Sequence, residues 1–119
     1  MRLVLNAVVM DMDVSGNTKT GFSDPVLVCE SMDGTEIDGA RFLFQQNGNL
    51  IDIVMEGDNL SEDINPNYPR RPLSPVSQIS FRSAEGRQTA NTLNKLIRRT
   101  MKEFPGKALL IRDVKELNE

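Results

Sequence analysis

Histidine and tryptophan are absent from this 119-residue chain, and cysteine occurs once, at Cys29. Without histidine there is no imidazole to serve as general base or zinc ligand, and no Ser-His or Cys-His pair can exist. A single cysteine cannot form an intrachain disulfide, so redox chemistry lends secretion no support. Aromatic residues make up only 5% of the chain, and no apolar run approaches the roughly eighteen residues that cross a bilayer. Met1-Arg2-Leu3-Val4-Leu5 meets Asn6 too early for a signal-peptide core. A cytoplasmic setting with no membrane partner is the expectation. Walker, Rossmann, CxxC and GxSxG patterns are missing as well, which argues against an enzyme and against a bound cofactor.

What is present suits one globular domain: 39% apolar and 26% charged residues in a chain of single-domain length. The net charge of −3 conceals an uneven distribution. Residues 1–66 hold three basic residues (Arg2, Lys19, Arg41) against twelve acidic ones, and residues 67–119 hold eleven basic against five acidic. Such halves can attract one another, and the basic half can attract an anion.

Arg2 to Met10 is apolar on both alternating sets and predicts a central strand covered on both faces. Asp13 to Gly21 reads as a loop. Its neighbourhood, Asp11-Met12-Asp13-Val14-Ser15-Gly16, imitates the start of a calcium-binding loop, but Lys19 and Phe22 stand where later ligands belong. Pro25 to Ser31, rich in β-branched residues, predicts a second strand in which Cys29 is an inert buried thiol. A turn is expected at Met32-Asp33-Gly34-Thr35. Ala40–Gln46 and Leu50–Glu56, separated by Asn47-Gly48-Asn49, form a hairpin signal, because asparagine and glycine accept the positive φ of tight turns. Gly57 to Pro75, with prolines at 66, 69, 72 and 75, predicts a long surface loop. Within it, Arg70-Arg71-Pro72-Leu73-Ser74-Pro75 has the look of a kinase substrate segment.

Val76 to Phe81 predicts a short strand, and Ser83 is placed to cap a helix running from Ala84 to Glu103. Ala90, Leu93, Ile97, Met101 and Phe104 recur at helical spacing as its core stripe, with Leu96 on the far side. Phe104-Pro105-Gly106 ends the helix, and Lys107 to Arg112 predicts a last strand. The expected class is α+β: a mainly antiparallel sheet with one long helix from the C-terminal half packed on it.

The helix carries the candidate site. At about 100° per residue, Arg87, Asn91, Asn94 and Arg98 share a narrow arc, which Lys95, Arg99 and Lys102 extend outward. Guanidinium groups grip phosphate bidentately, and asparagine both donates and accepts toward a base or ribose edge. Phe81 and Arg82 stand at the helix mouth, where a ring can stack on a purine and free N–H groups can receive phosphate. A net negative charge and few aromatics argue against nucleic acid as the partner. The outward Leu96 and the proline-rich loop suggest a homo-oligomer, a dimer or higher.

The Ile79-Ser80-Phe81 strand end, the Ala90-Asn91-Thr92 segment and the β-rich fold around one helix resemble the phage Thoeris anti-defence proteins, over about residues 76–104. Those are sponges that sequester cyclic ADP-ribose-type immune signals, and some relatives hold cyclic oligonucleotides. The resemblance implies that Phe81 stacks on adenine, Asn91 hydrogen-bonds the ligand and Arg98 or Arg99 meets phosphate, in a pocket near a subunit contact. That family also uses basic residues from its strands, where this chain offers only Arg2, Lys19 and Arg41. The expectation is therefore a non-catalytic protein that sequesters a small phosphorylated nucleotide signal. The alternatives are an inhibitor that presents its acidic half to a protein partner, and a module that binds nucleic acid weakly through the helix.

Overall fold

A computed structural model describes residues 1–12, 23–67 and 78–117. The described elements are β1 (Arg2–Asp11), α1 (Val26–Met32), β2 (Glu36–Ile37), β3 (Ala40–Asn47), β4 (Leu50–Glu56), β5 (Ile64–Asn67), β6 (Gln78–Phe81), α2 (Arg87–Glu103) and β7 (Lys107–Glu116), with a 3-10 turn over Ala84–Gly86 leading into α2. The expected α+β class holds. Five strands form one sheet in the order β2-β3-β4-β1-β7, with antiparallel neighbours throughout, and β5 and β6 form a separate two-stranded ribbon.

The alternation in β1 explains its interior place. Leu3, Leu5, Ala7 and Val9 point into the core against Ile51, Ile53 and Met55 of β4 and Leu109 and Ile111 of β7. On the opposite face Val8 is buried with Ala108 and Leu110, and Met10 and Leu50 are half-buried beside them. The β3–β4 hairpin forms where Asn-Gly-Asn predicts it. Its two turn residues are Gly48 and Asn49, with Gly48 at φ 63°, the left-handed conformation that glycine enters without steric cost.

Several expectations need correction. Pro25 to Ser31 is no strand: Val26–Met32 is helix α1, closed at its start by the Cys29 N–H donating to the Pro25 carbonyl at 3.0 Å. β-Branched content suggests a strand, but burial follows helical spacing, with Val28, Cys29 and Met32 inside and Leu27 68% exposed. Cys29 stays buried, and burial pushes its thiol above the usual range, as an inert cysteine requires. The loop expected over 57–75 contains β5, in which Pro66 pairs with Ile79. Proline fits there because a two-stranded ribbon leaves one side of each strand free of ladder bonds. The last strand continues past Arg112 to Glu116. The Asp13–Gly21 loop, most of the calcium-loop imitation and the Arg70–Pro75 segment lie outside the described residues.

Leu96 is the correction with the widest consequence. It is 0% exposed, as are Leu93, Thr89 and Thr100, because α2 packs against the ribbon as well as the five-stranded sheet. A helix covered on two sides needs a wider apolar stripe than one lying on a single sheet. The outward-Leu96 argument for an oligomer is thereby removed.

The helix entry is fixed by close contact. A Cβ on Gly86 would overlap the carbonyl oxygen of Asp63 and crowd Ile64, and Arg82 donates its backbone N–H to that same carbonyl at 3.2 Å. Gly86 has an ordinary φ of −75°, so space decides, not backbone strain. Gly86 is the N-cap of α2, where alanine has none of the advantage it holds inside a helix. Gly86→Ala is expected to destabilise the protein by about 1–3 kcal/mol through the forced shift, readable as a lower midpoint in urea unfolding.

Candidate functional site

Along one side of α2 the turns bring Arg87, Gln88, Asn91 and Lys95 into line, and Ala84 continues the row into the preceding 3-10 turn. Asp38 faces them from the β2–β3 connection. Together these residues line an open groove of about 590 Å³. Asp38 reaches it because Asp38-Gly39 is a two-residue hairpin turn with φ of 51° and 81°. Positive φ at both positions marks the tight turn whose twist matches the strands, and Asp-Gly is among its preferred pairs.

The acidic end of the groove is tightly tied. Lys95 Nζ lies 3.0 and 2.8 Å from the two carboxylate oxygens of Asp38, and Thr92 Oγ1 lies 3.4 Å from Oδ2. The bond from the Lys95 ammonium, with that charge and the Thr92 hydroxyl, holds the Asp38 carboxyl below the usual aspartate range despite an opposing cost of desolvation. The basic end differs. Arg87 is exposed, has no carboxylate partner among the described residues, and lies over the Phe81 ring at 5.1 Å from guanidinium carbon to ring centroid. Phe81 itself is 43% exposed. The pair presents a pre-positioned cation and an aromatic edge at the groove mouth.

The seven sequence candidates separate on the structure. Arg87 and Asn91 line the groove, and Phe81 borders it through Arg87. Arg82 is exposed on the chain between β6 and the 3-10 turn. Arg98 is exposed about 16 Å along the axis from Arg87, at about 1.5 Å per residue, and is not part of the lining. Arg99 is paired with Glu103 at 2.8 Å. Asn94 is engaged elsewhere: its Oδ1 accepts from the Ile79 N–H at 2.8 Å and its Nδ2 donates to the Ile79 carbonyl at 2.7 Å. Sequence reasoning missed Asp38 and Gln88 and left Lys95 at the margin. The Asp38-Gly39 dipeptide is a hairpin signal that would have located the first. Among the described residues, no group of three or more histidine, cysteine, aspartate or glutamate side chains could hold a metal ion, and no helix is long and apolar enough to cross a membrane.

No protein-family model matches the chain. A solved structure of a cofactor-independent phosphoglycerate mutase from Thermoplasma acidophilum superposes on 98% of the chain with a TM-score of 0.77, at 18% sequence identity and over 37% of that protein. The fold is shared with part of a larger enzyme. A 2,3-bisphosphoglycerate-independent phosphoglycerate mutase from Methanococcus aeolicus is 29% identical over 103 residues, covering 71% of this chain and 25% of that protein. The chain thus spans about a quarter of the length of the curated relative it matches.

Two measurements separate structural from ligand-facing residues. Asn94→Ala removes both bonds to Ile79 and leaves two backbone groups of β6 without these partners, so about 1–3 kcal/mol of stability should be lost in urea unfolding. Arg87→Ala, at an exposed site without an ion pair among the described residues, is expected to stay within about 0.5 kcal/mol of the parent. The Asp38 tie is also pH-dependent. Its carboxyl pKa is lowered on folding, so the stabilisation is present above the unfolded value and is lost as pH falls through the folded one. Titrating the Asp38 carboxyl by NMR should give a midpoint below that of an ordinary aspartate, and Lys95→Met should move it upward.

Proposed function

We propose that this chain is a non-catalytic binding protein for a small phosphorylated nucleotide, held in the groove between α2 and the Asp38-Gly39 turn. Arg87 carries the reading: an exposed guanidinium, unpaired among the described residues, stacked over an exposed phenylalanine at the edge of a groove large enough for a small molecule. Arg87 supplies bidentate donors for phosphate. Asn91, one turn further along, both donates and accepts, and Phe81 offers ring surface to a base. Sequestering a cyclic ADP-ribose-type or cyclic oligonucleotide signal, and so countering antiviral immune signalling, is a use that suits this site.

The likeness to phosphoglycerate mutases favours a second reading, in which the ligand is a phosphorylated hydroxy acid such as phosphoglycerate. The same Arg87 would hold the phosphate, with no base on Phe81.

Titrating the isotope-labelled protein with AMP, cyclic ADP-ribose isomers, cyclic di- and trinucleotides and 3-phosphoglycerate, while following backbone NMR shifts, tests both. A nucleotide should move resonances of residues 84–95 and Phe81. Arg87→Ala should weaken that binding by about tenfold or more, the loss expected for hydrogen bonds to a charged group. A preference for 3-phosphoglycerate would favour the second reading, and silence across the panel would overturn both.

A further inference from the structure

Arg87 accounts for a phosphate, but the groove also contains a carboxylate, an unusual lining for a site that attracts anions. The geometry points to Asp38 as the specificity-determining residue of this groove, selecting ligands in which neighbouring hydroxyl groups, as on a ribose, accompany a single phosphate. The inference rests on the binding role proposed above and narrows it, because cyclic oligonucleotides, esterified through a ribose 2′- or 3′-oxygen, leave no free hydroxyl pair.

Ionised Asp38 is an acceptor only, with about four lone-pair positions. Lys95 takes one position on each oxygen, at 3.0 and 2.8 Å, and the Thr92 hydroxyl makes a longer approach at 3.4 Å while also lying 3.0 Å from the Gln88 carbonyl. Acceptor capacity remains on an exposed side chain that lines the groove. The left-handed turn and the Lys95 contact fix where that capacity points, so a donor pays little to organise it. Hydroxyl pairs meet this demand, since carboxylates accept well from ribose hydroxyls.

Charge narrows the ligand further. Lys95 is neutralised by Asp38, so the far end of the groove has no spare cation for a second anionic group. An anion there would meet the Asp38 carboxylate instead. The three positions Arg87, Asn91 and Lys95 succeed one another at single-turn spacing, which sets the order phosphate, polar contact, hydroxyl pair along the groove. A ribose 5-phosphate unit has that order. Phosphoglycerate, with a carboxylate at its other end, is disfavoured.

The test compares AMP with 2′,3′-dideoxy-AMP, identical in base and phosphate, by NMR titration of the intact protein and of Asp38→Gly. Glycine keeps the positive φ of the turn and removes only the side chain. The parent should bind AMP at least about tenfold more tightly than the dideoxy compound, as expected for hydrogen bonds to a charged acceptor. Asp38→Gly should bring the two affinities together, without weakening the dideoxy compound because Lys95 is released, and should strengthen 3-phosphoglycerate. Equal affinities in the parent, or 3-phosphoglycerate outbinding AMP there, overturn the role of Asp38 while leaving a phosphate site at Arg87. If no probe shifts the groove in the parent, both the role of Asp38 and the binding function fall.

Discussion

The Asn94 amide spans the backbone N–H and carbonyl of Ile79, occupying on β6 the positions that a further strand would fill. β5 covers one edge of β6, and without Asn94 the other would present two polar backbone groups beside a core that buries Ile79 and Leu93. This closure joins α2 to the ribbon. Thr89 adds a second tie by accepting the Ser61 N–H at 2.9 Å, and the contact of Gly86 with Asp63 adds a third at the helix entry. Placed this way, α2 cannot rotate about its axis, and the row from Arg87 to Lys95 is held facing the Asp38-Gly39 turn.

Threonine completes the arrangement inside the helix. Thr92 and Thr100 are buried, which would be costly for free hydroxyls, but each donates to the carbonyl four residues earlier, at 3.0 Å in both cases. The helix therefore buries a broad face without needing a leucine at every inward position. Its exposed strip is left to charged and amide side chains.

That breadth is also why the sequence revealed the helix well and its orientation poorly. Strong 3.6-residue periodicity and the Phe104-Pro105-Gly106 stop made its extent legible, as apolar residues on both alternating sets did for β1 and the Asn-Gly-Asn turn for the β3–β4 hairpin. Three inward threonines blurred the boundary between core and surface, so Leu96 read as outward and Asn94 as free for a ligand. Tertiary context decided both. In α1 the seven-residue length was the obstacle, because so short a run of valine, leucine and cysteine fits strand propensity as readily as helix, and only the burial of Val28, Cys29 and Met32 separates the two. Arg87 and Asn91 were found from spacing alone. Asp38 was not, since a residue 49 positions from Arg87 in the chain enters the groove only through a hairpin docked on the helix.

The charge asymmetry between the halves takes a specific form once these contacts exist. Lys95 pairs with Asp38 and Lys107 with Asp11, each a basic residue of the second half meeting an acidic residue of the first. Exposed pairs of this kind contribute little to stability, so their effect is more on which charges remain. Arg82, Arg87, Arg98 and Lys102 of the second half are left without carboxylate partners among the described residues. A guanidinium is a rigid fork of donors suited to phosphate, and of the three arginines only Arg87 has both a ring to orient it and a groove beside it. The acidic half thus ties Lys95 into the groove wall through Asp38, and the guanidinium at the other end keeps its donors for a phosphate's shape.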